Sequence, residues 1–313
     1  SGTWVFGAEL ADSSANTNNG KQVNQQSLSL YVQTTQPLSS VLNIELGART
    51  QKVDNNFQVS ISDAATSAST RESGLSAALR HQLSQNTVIR AGGLTGFRFA
   101  NADELYYFRN VYPYTMLEIN TQVKPMKSRE FFAQLEHSYS MGKVDIHYRN
   151  IRTIDEIGYQ YSCGAVANYS ASCNTNLYDT QRQILSFTGS FKPSNTLTLK
   201  AGVDFVDATI ESGSNVGNRI PLTPKRVVKL TAEQRIGAYT LMATSRYRSD
   251  TVQASDPGAF NPLIPSRNVV DLGMKTSLSK TWSLSTWVRN AFNKSYYDYA
   301  NYGIYPADGR GLF

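Results

Sequence analysis

Few residues in this 313-residue chain have the types and spacing that covalent or metal chemistry needs. The three histidines, His81, His137 and His147, fall inside separate stretches of alternating hydrophobicity. His137 and His147 would approach each other across a hairpin at 140–143, but a metal site needs more converging ligands, and no metal site is expected. No G-x-S-x-G, paired-carboxylate or metal-ligand spacing occurs, so the chain is read as a non-enzyme without a cofactor. Cys163 and Cys173 share one predicted loop. A disulfide between them is expected, because two unpaired thiols on an exposed loop would be reactive. The aromatic side chains offer more. Phe99 opens a long segment holding Tyr106, Tyr107, Phe108, Tyr112 and Tyr114, and Tyr159, Tyr161 and Tyr169 lie in the next. Such residues either line a vestibule for a bulky chelate-type ligand or form a girdle at a membrane interface.

The elements that must position these residues are strands. The residue pattern alternates with period 2 over 3–10, 25–35, 41–52, 73–83, 87–98, 129–139, 144–152, 180–191, 196–208, 226–236, 239–248, 269–278 and 282–290. That makes thirteen full strands and a stub at Leu312-Phe313. In 197–205, Leu197, Leu199, Ala201, Val203 and Phe205 form one row, opposite Thr198, Lys200, Gly202 and Asp204. Val270, Leu272 and Met274 oppose Asp271, Gly273 and Lys275; Phe131, Ala133 and Leu135 oppose Glu130, Gln134 and Glu136. The connections alternate short and long throughout, as in outer-membrane barrels with brief periplasmic turns and extended outer loops. A tilted strand needs about 9–11 residues to cross the hydrocarbon layer, whereas strands of soluble proteins average about 5–6. The strands read here match the former.

Composition agrees. The chain has 18 Tyr, 13 Phe and only 17% charged residues, and its mean hydropathy of −0.36 is compatible with a wall that alternates lipid-facing and lumen-facing residues. No run of 18 apolar residues exists for a membrane-spanning helix. The net charge of +6 comes from Lys and Arg scattered singly, so nucleic acid is not an expected partner. The fold class expected is all-β: a transmembrane up-and-down antiparallel β-barrel.

The segment 288–299 carries Val288, Asn290, Phe292, Asn293, Lys294, Tyr296, Tyr297, Asp298 and Tyr299 in the order V-x-N-x-F-N-K-x-Y-Y-D-Y, followed by Asp308-Gly309-Arg310. It resembles the last hairpin of the TonB-dependent outer-membrane receptors, with Ala291 where that family prefers Leu and Asp308 where it prefers Pro. Gly96-Phe97-Arg98 with Glu104-Leu105-Tyr106, Lys124-Pro125 with Ser128 and Glu136, and Asp155-Glu156-Ile157 with Asn174–Leu177 and Gln181–Gln183 resemble further family segments in the same order. Phe99-Ala100 replaces the usual Ala-Pro, and Met126 replaces a Glu.

The resemblance implies that residues 1–313 are the C-terminal 13–14 strands of a barrel of about 22, with an N-terminal plug domain absent and the final strand cut at Phe313. It implies a place in the bacterial outer membrane, contact with its lipid, and energy-coupled uptake of a scarce nutrient, most often a ferric siderophore, otherwise cobalamin or heme. The inner-membrane TonB complex would act through the plug. The competing expectation is a passive porin-like channel of about 14 strands.

Overall fold

The computed structural model describes residues 2–16, 20–58, 66–111, 114–160, 171–254, 256–300 and 303–312; at 107–111, 114–118, 159–160 and 171–173 it describes the backbone. Eighteen strands follow one another: β1 (Thr3–Asn16), β2 (Gln22–Pro37), β3 (Leu42–Gln58), β4 (Thr66–Ser84), β5 (Thr87–Arg98), β6 (Tyr106–Val111), β7 (Tyr114–Ile119), β8 (Met126–Tyr139), β9 (Gly142–Gln160), β10 (Ala171–Phe191), β11 (Leu197–Ile210), β12 (Arg226–Ile236), β13 (Tyr239–Arg248), β14 (Arg267–Ser277), β15 (Ser283–Arg289), β16 (Tyr297–Ala300), β17 (Ile304–Pro306) and β18 (Gly311–Leu312). No α-helix occurs among the described residues, only a 3-10 turn at Asp103–Leu105.

Fourteen of these strands form one antiparallel up-and-down wall, in the order β1-β2-β3-β4-β5-β8-β9-β10-β11-β12-β13-β14-β15-β18. The thirteen alternating segments and the terminal stub all find their place in it. The sheet is open, with β1 and β18 as its edges among the described residues.

The strand ends differ from expectation on the loop side. The segments 54–71 and 155–179 read as loops, yet β3 and β4 pair from Phe57↔Thr66 downward, and β9 and β10 pair up to Cys173↔Gln160. Most of their side chains are polar, and the few buried apolar ones, such as Phe57 and Ile157, are too isolated for alternation to mark a strand. The ladder continues because pairing satisfies the backbone, while Phe57 and Ile157 bury in an apolar cluster on the inner side. Within the segment 101–127, read as one loop, β6 and β7 form a hairpin, and β6 adds to β10 at Ala171↔Arg109.

Register settles the two faces. Ala133, Tyr148, Leu185 and Phe205 are successive cross-strand partners on one face, and Leu199, Ala232, Ala243, Leu272 and Val288 are so on a second row. Phe131 is 56% exposed on this apolar face, while its neighbour Phe132, on the polar face, is 6% exposed.

The polar face is laced with ion pairs. Arg90 Nε donates to Glu45 at 2.8 Å, and its guanidinium stands 4.9 Å from the centre of the Phe132 ring. Arg149 grips Glu130 through two bonds of 2.7 and 2.9 Å, and the His147 ring meets Phe132 edge-on. These residues form a rung across β3, β5, β8 and β9.

The β4–β5 ladder ends early. It runs to Ser76↔Leu94, although β4 continues to Thr66 and β5 to Arg98. Beyond that level, Thr95 Oγ1 accepts the Leu75 amide at 2.9 Å, and Lys127 of β8 reaches Glu72 of β4 at 2.9 Å. A wedge thus opens between two strands that stay paired on their other sides.

Candidate functional site

The chain between β5 and β8 folds over the polar face and is fastened on both flanks. Asn101 and Glu104 cap its 3-10 turn reciprocally: Glu104 N donates to Asn101 Oδ1 at 2.8 Å, and Asn101 N to Glu104 Oε2 at 3.0 Å. Arg98 Nη1 donates to the same carboxylate at 2.6 Å. Ala100, Ala102 and Leu105 then bury against Val23, Phe57, Ile119 and Ile157. This apolar cluster ties the excursion to β2, β3 and β9. Gln25 Nε2 donates to Ala100 O at 2.9 Å, and the Tyr106 hydroxyl to Ala15 O at 2.6 Å.

On the other flank, Asn176 of β10 acts as a node. Its side chain accepts from Lys124 N at 2.7 Å and donates to Lys124 O at 2.9 Å and Asp155 O at 2.8 Å. Asp155 stands at φ +55°, where the β9–β10 register shifts. Asn120 Nδ2 adds a bond to Asn174 O at 3.0 Å. The separated motif fragments Arg98…Glu104, Lys124-Pro125 and Asn174–Leu177 therefore meet in one construction.

Beneath the excursion lies a cavity of about 630 Å3 on the polar face. Its walls include Gln25, Tyr31, Arg49, Gln51, Arg98 and Phe99. Arg49 is about half exposed and is held by Ser29 Oγ at 3.0 Å and more loosely by Glu9 at 3.5 Å. Phe99 meets Phe97 edge-on at 5.7 Å. Two guanidiniums, carboxamides, a phenol and a phenyl ring converge there. That set suits a large, oxygen-rich anionic ligand, with Arg49 as the charge partner, Arg98 being paired with Glu104, and the rings as packing surfaces.

The residues singled out from sequence distribute as follows. Phe99 lines the cavity. Tyr106 is half-buried with its hydroxyl bonded to Ala15 O, and burial pushes its pKa up. Tyr107 and Tyr114 are partners of Glu118 and Val111 in the β6–β7 hairpin, and Tyr159 pairs with Asn174. Tyr112 and Tyr161 lie outside the described residues. So does Cys163; Cys173 is placed in β10 opposite Gln160 and Tyr107. His137 shares the outward face with Tyr139, on which it stacks, while His147 lies on the polar face, so the two do not converge. Tyr31, Arg49, Gln25 and Gln51 were not foreseen as a site; in sequence they read as ordinary inner-wall positions.

The remaining loops pack on one another. Leu222 N donates to Val252 O at 2.9 Å and Ala254 N to Ala300 O at 3.0 Å, while Arg219 pairs with Asp250 at 2.8 Å. That pairing holds the Asp250 carboxyl below the usual range. Asp298 takes Arg267 in two bonds and Arg248 at 3.6 Å. In the terminal motif, Asn290 and Asn293 both adopt left-handed backbone, at φ +49° and +51°. Asparagine tolerates that region better than most residues, and Asn290 closes the turn through Lys294 N and O at 2.8 and 2.9 Å.

The family described as "TonB dependent receptor-like, beta-barrel" matches residues 2–291. Solved structures of similar fold include the ferric yersiniabactin uptake receptor FyuA from Yersinia pestis, with TM-score 0.73 and 13% identity over 99% of this chain and 50% of that one. The copper transporter OprC has TM-score 0.72 and 14% identity over 93% and 47%. The pyoverdine receptor FpvA of Pseudomonas aeruginosa PAO1, bound to pyoverdine, has TM-score 0.67 and 15% identity over 95% and 42%. The chain thus spans about half the length of the solved structures it matches. No curated protein sequence matches it. The family and these neighbours are receptors and transporters, not enzymes, and they do not favour the porin reading. With its family match over nearly the whole length and its wall of fourteen antiparallel strands, the chain belongs to the TonB-dependent receptors, as part of their β-barrel.

Proposed function

We propose that the chain is barrel wall of an outer-membrane receptor that takes up an anionic, chelated nutrient, a ferric siderophore before cobalamin or heme. The observation that carries this reading is the cavity under the fastened excursion, where Arg49 and Arg98 stand among carboxamides and aromatic rings. Phe99 would contact the ligand directly. Tyr107, Tyr112, Tyr114, Tyr159 and Tyr161 would supply the aromatic approach from the excursion and the neighbouring loop, with a Cys163–Cys173 disulfide bracing that loop. The apolar face would meet outer-membrane lipid, and the inner-membrane TonB complex would supply energy through a plug domain. Nothing in this scheme requires covalent chemistry.

The test is iron-55 uptake from a panel of ferric siderophores by cells carrying the full-length gene or its deletion. Uptake of at least one chelate should fall on deletion and on collapse of the proton gradient. Uptake indifferent to both, with steady single-channel conductance from the purified protein, would overturn the reading in favour of a passive pore.

A further inference from the structure

A second cationic cluster lies on the opposite face of the wall. Lys127 and Arg129 of β8 share the parity of Phe131, Ala133 and Leu135, and Arg152 of β9 shares that of Ile146 and Tyr148. All three therefore stand on the outward face, loopward of Phe131, with Ile154 and Phe97 as the apolar cross-strand partners of Lys127. They line a hollow of about 410 Å3 together with Thr95, Phe97 and Glu72, at the wedge where β4 and β5 part.

Glu72 neutralises Lys127 at 2.9 Å. Arg129 and Arg152 differ: they are direct cross-strand partners, both exposed, and neither forms an ion pair or hydrogen bond among the described residues. Like charges directly opposite one another destabilise a sheet. An anion between two guanidiniums reverses that cost, because each can offer a paired set of N–H donors to phosphate. The neighbouring outward positions turn polar at the same level: Phe131 is opposite Asn150, and Arg152 is opposite Gln181, whose Nε2 donates to Asn150 Oδ1 at 3.1 Å. The outward surface at this level is therefore mixed, with the two arginines set between Phe131 on one side and the exposed Ile154 and the half-buried Phe97 on the loop side.

We propose that this hollow binds the phosphate of a membrane lipid headgroup in the loop-side leaflet, with Arg129 and Arg152 as its clamp. The acyl chains run down over Phe131 and Leu135. The inference rests on the reading that the apolar face meets lipid, and not on the cargo of the inner cavity.

The test is native mass spectrometry of the full-length receptor in detergent, titrated with bis-phosphorylated lipid A, with lipid A stripped of its phosphates, and with inorganic phosphate. The wild type should retain the phosphorylated lipid, and Arg129→Ala/Arg152→Ala should weaken it about tenfold. Arg129→Lys/Arg152→Lys keeps the charge and the strand pairing but not the paired N–H donors, so it should bind between the wild type and the alanine variant, and that partial recovery excludes misfolding as the cause. Equal binding of the stripped lipid, unchanged binding by the alanine variant, or competition by inorganic phosphate at equimolar concentration would each overturn the proposal. Lipid binding is read without transport, so failure of the uptake reading and failure of this one are separable.

Discussion

Gly7 and Tyr31 are cross-strand partners, and the phenol ring occupies the space where a side chain at residue 7 would start: a Cβ there would stand 2.0 Å from Tyr31 Cζ. Tyr31 is a wall of the inner cavity, so the absence of a side chain at residue 7 sets how that wall lies. Gly7→Ala should push the ring aside at a cost under about 1 kcal/mol, less than core overpacking, because the atoms met are the far end of an exposed side chain. Combining it with Tyr31→Ala should recover much of that cost. Thermal unfolding of the two single variants and the double variant measures the coupling; additive effects would break the link.

Arg49 reaches into the cavity with only modest compensation from Glu9 at 3.5 Å. Arg49→Ala should weaken capture of an anionic chelate about tenfold, or about 1.4 kcal/mol, and Arg49→Lys should recover part of it by restoring charge without the planar fork. Equilibrium binding of the transported ligand to the full-length receptor gives the comparison.

Asn176 is the node that fastens the far flank of the excursion through three bonds. Asn176→Ala leaves the Lys124 amide without its partner and should cost about 1–3 kcal/mol locally. Hydrogen exchange should accelerate at 120–126 while the β11–β13 ladder keeps its protection.

Tyr178 lies outside the apolar band, against Ala208, Ile210 and Ile220. Burial first, then the Glu156 carboxylate, pushes its phenol up to about 12. Its folded value therefore lies above the ordinary one near 10. The stability linked to it is fully present below about pH 10 and is lost as pH rises through about 12. Tyr178→Phe should flatten the alkaline loss of stability in that window. The phenolate absorbance titration should also lose its latest component.

The wall was largely legible, because burial on one face alone forces strict alternation. Leu197, Leu199, Ala201, Val203 and Phe205 announce both a strand and its outward face. Alternation fails where the outward face is wet and only isolated residues such as Phe57 and Ile157 are buried on the inner side, so the extensions of β3, β4, β9 and β10 above the apolar band read as loops. The β6–β7 hairpin was hidden for a related reason. Its strands are only six residues long, Tyr106–Val111 and Tyr114–Ile119, and aromatic content there pointed to a ligand loop. The cavity was the least legible feature. Gln25, Tyr31, Arg49 and Gln51 come from β2 and β3, Arg98 and Phe99 from the exit of β5, and only the fold-back of the excursion over the polar face gives them a common space.

The rung across β3, β5, β8 and β9 sets Glu45 against Arg90 and Glu130 against Arg149. Two negative and two positive charges cancel within a few strands, so the rung itself carries no net charge despite being densely charged. A charged passenger moving past these four residues would meet dipoles able to replace part of its hydration, with Arg80, the cross-strand partner of Arg90, as the charge beside them that no ion pair offsets among the described residues. Deleting any one of the four would give the rung a sign and turn it into a trap or a barrier.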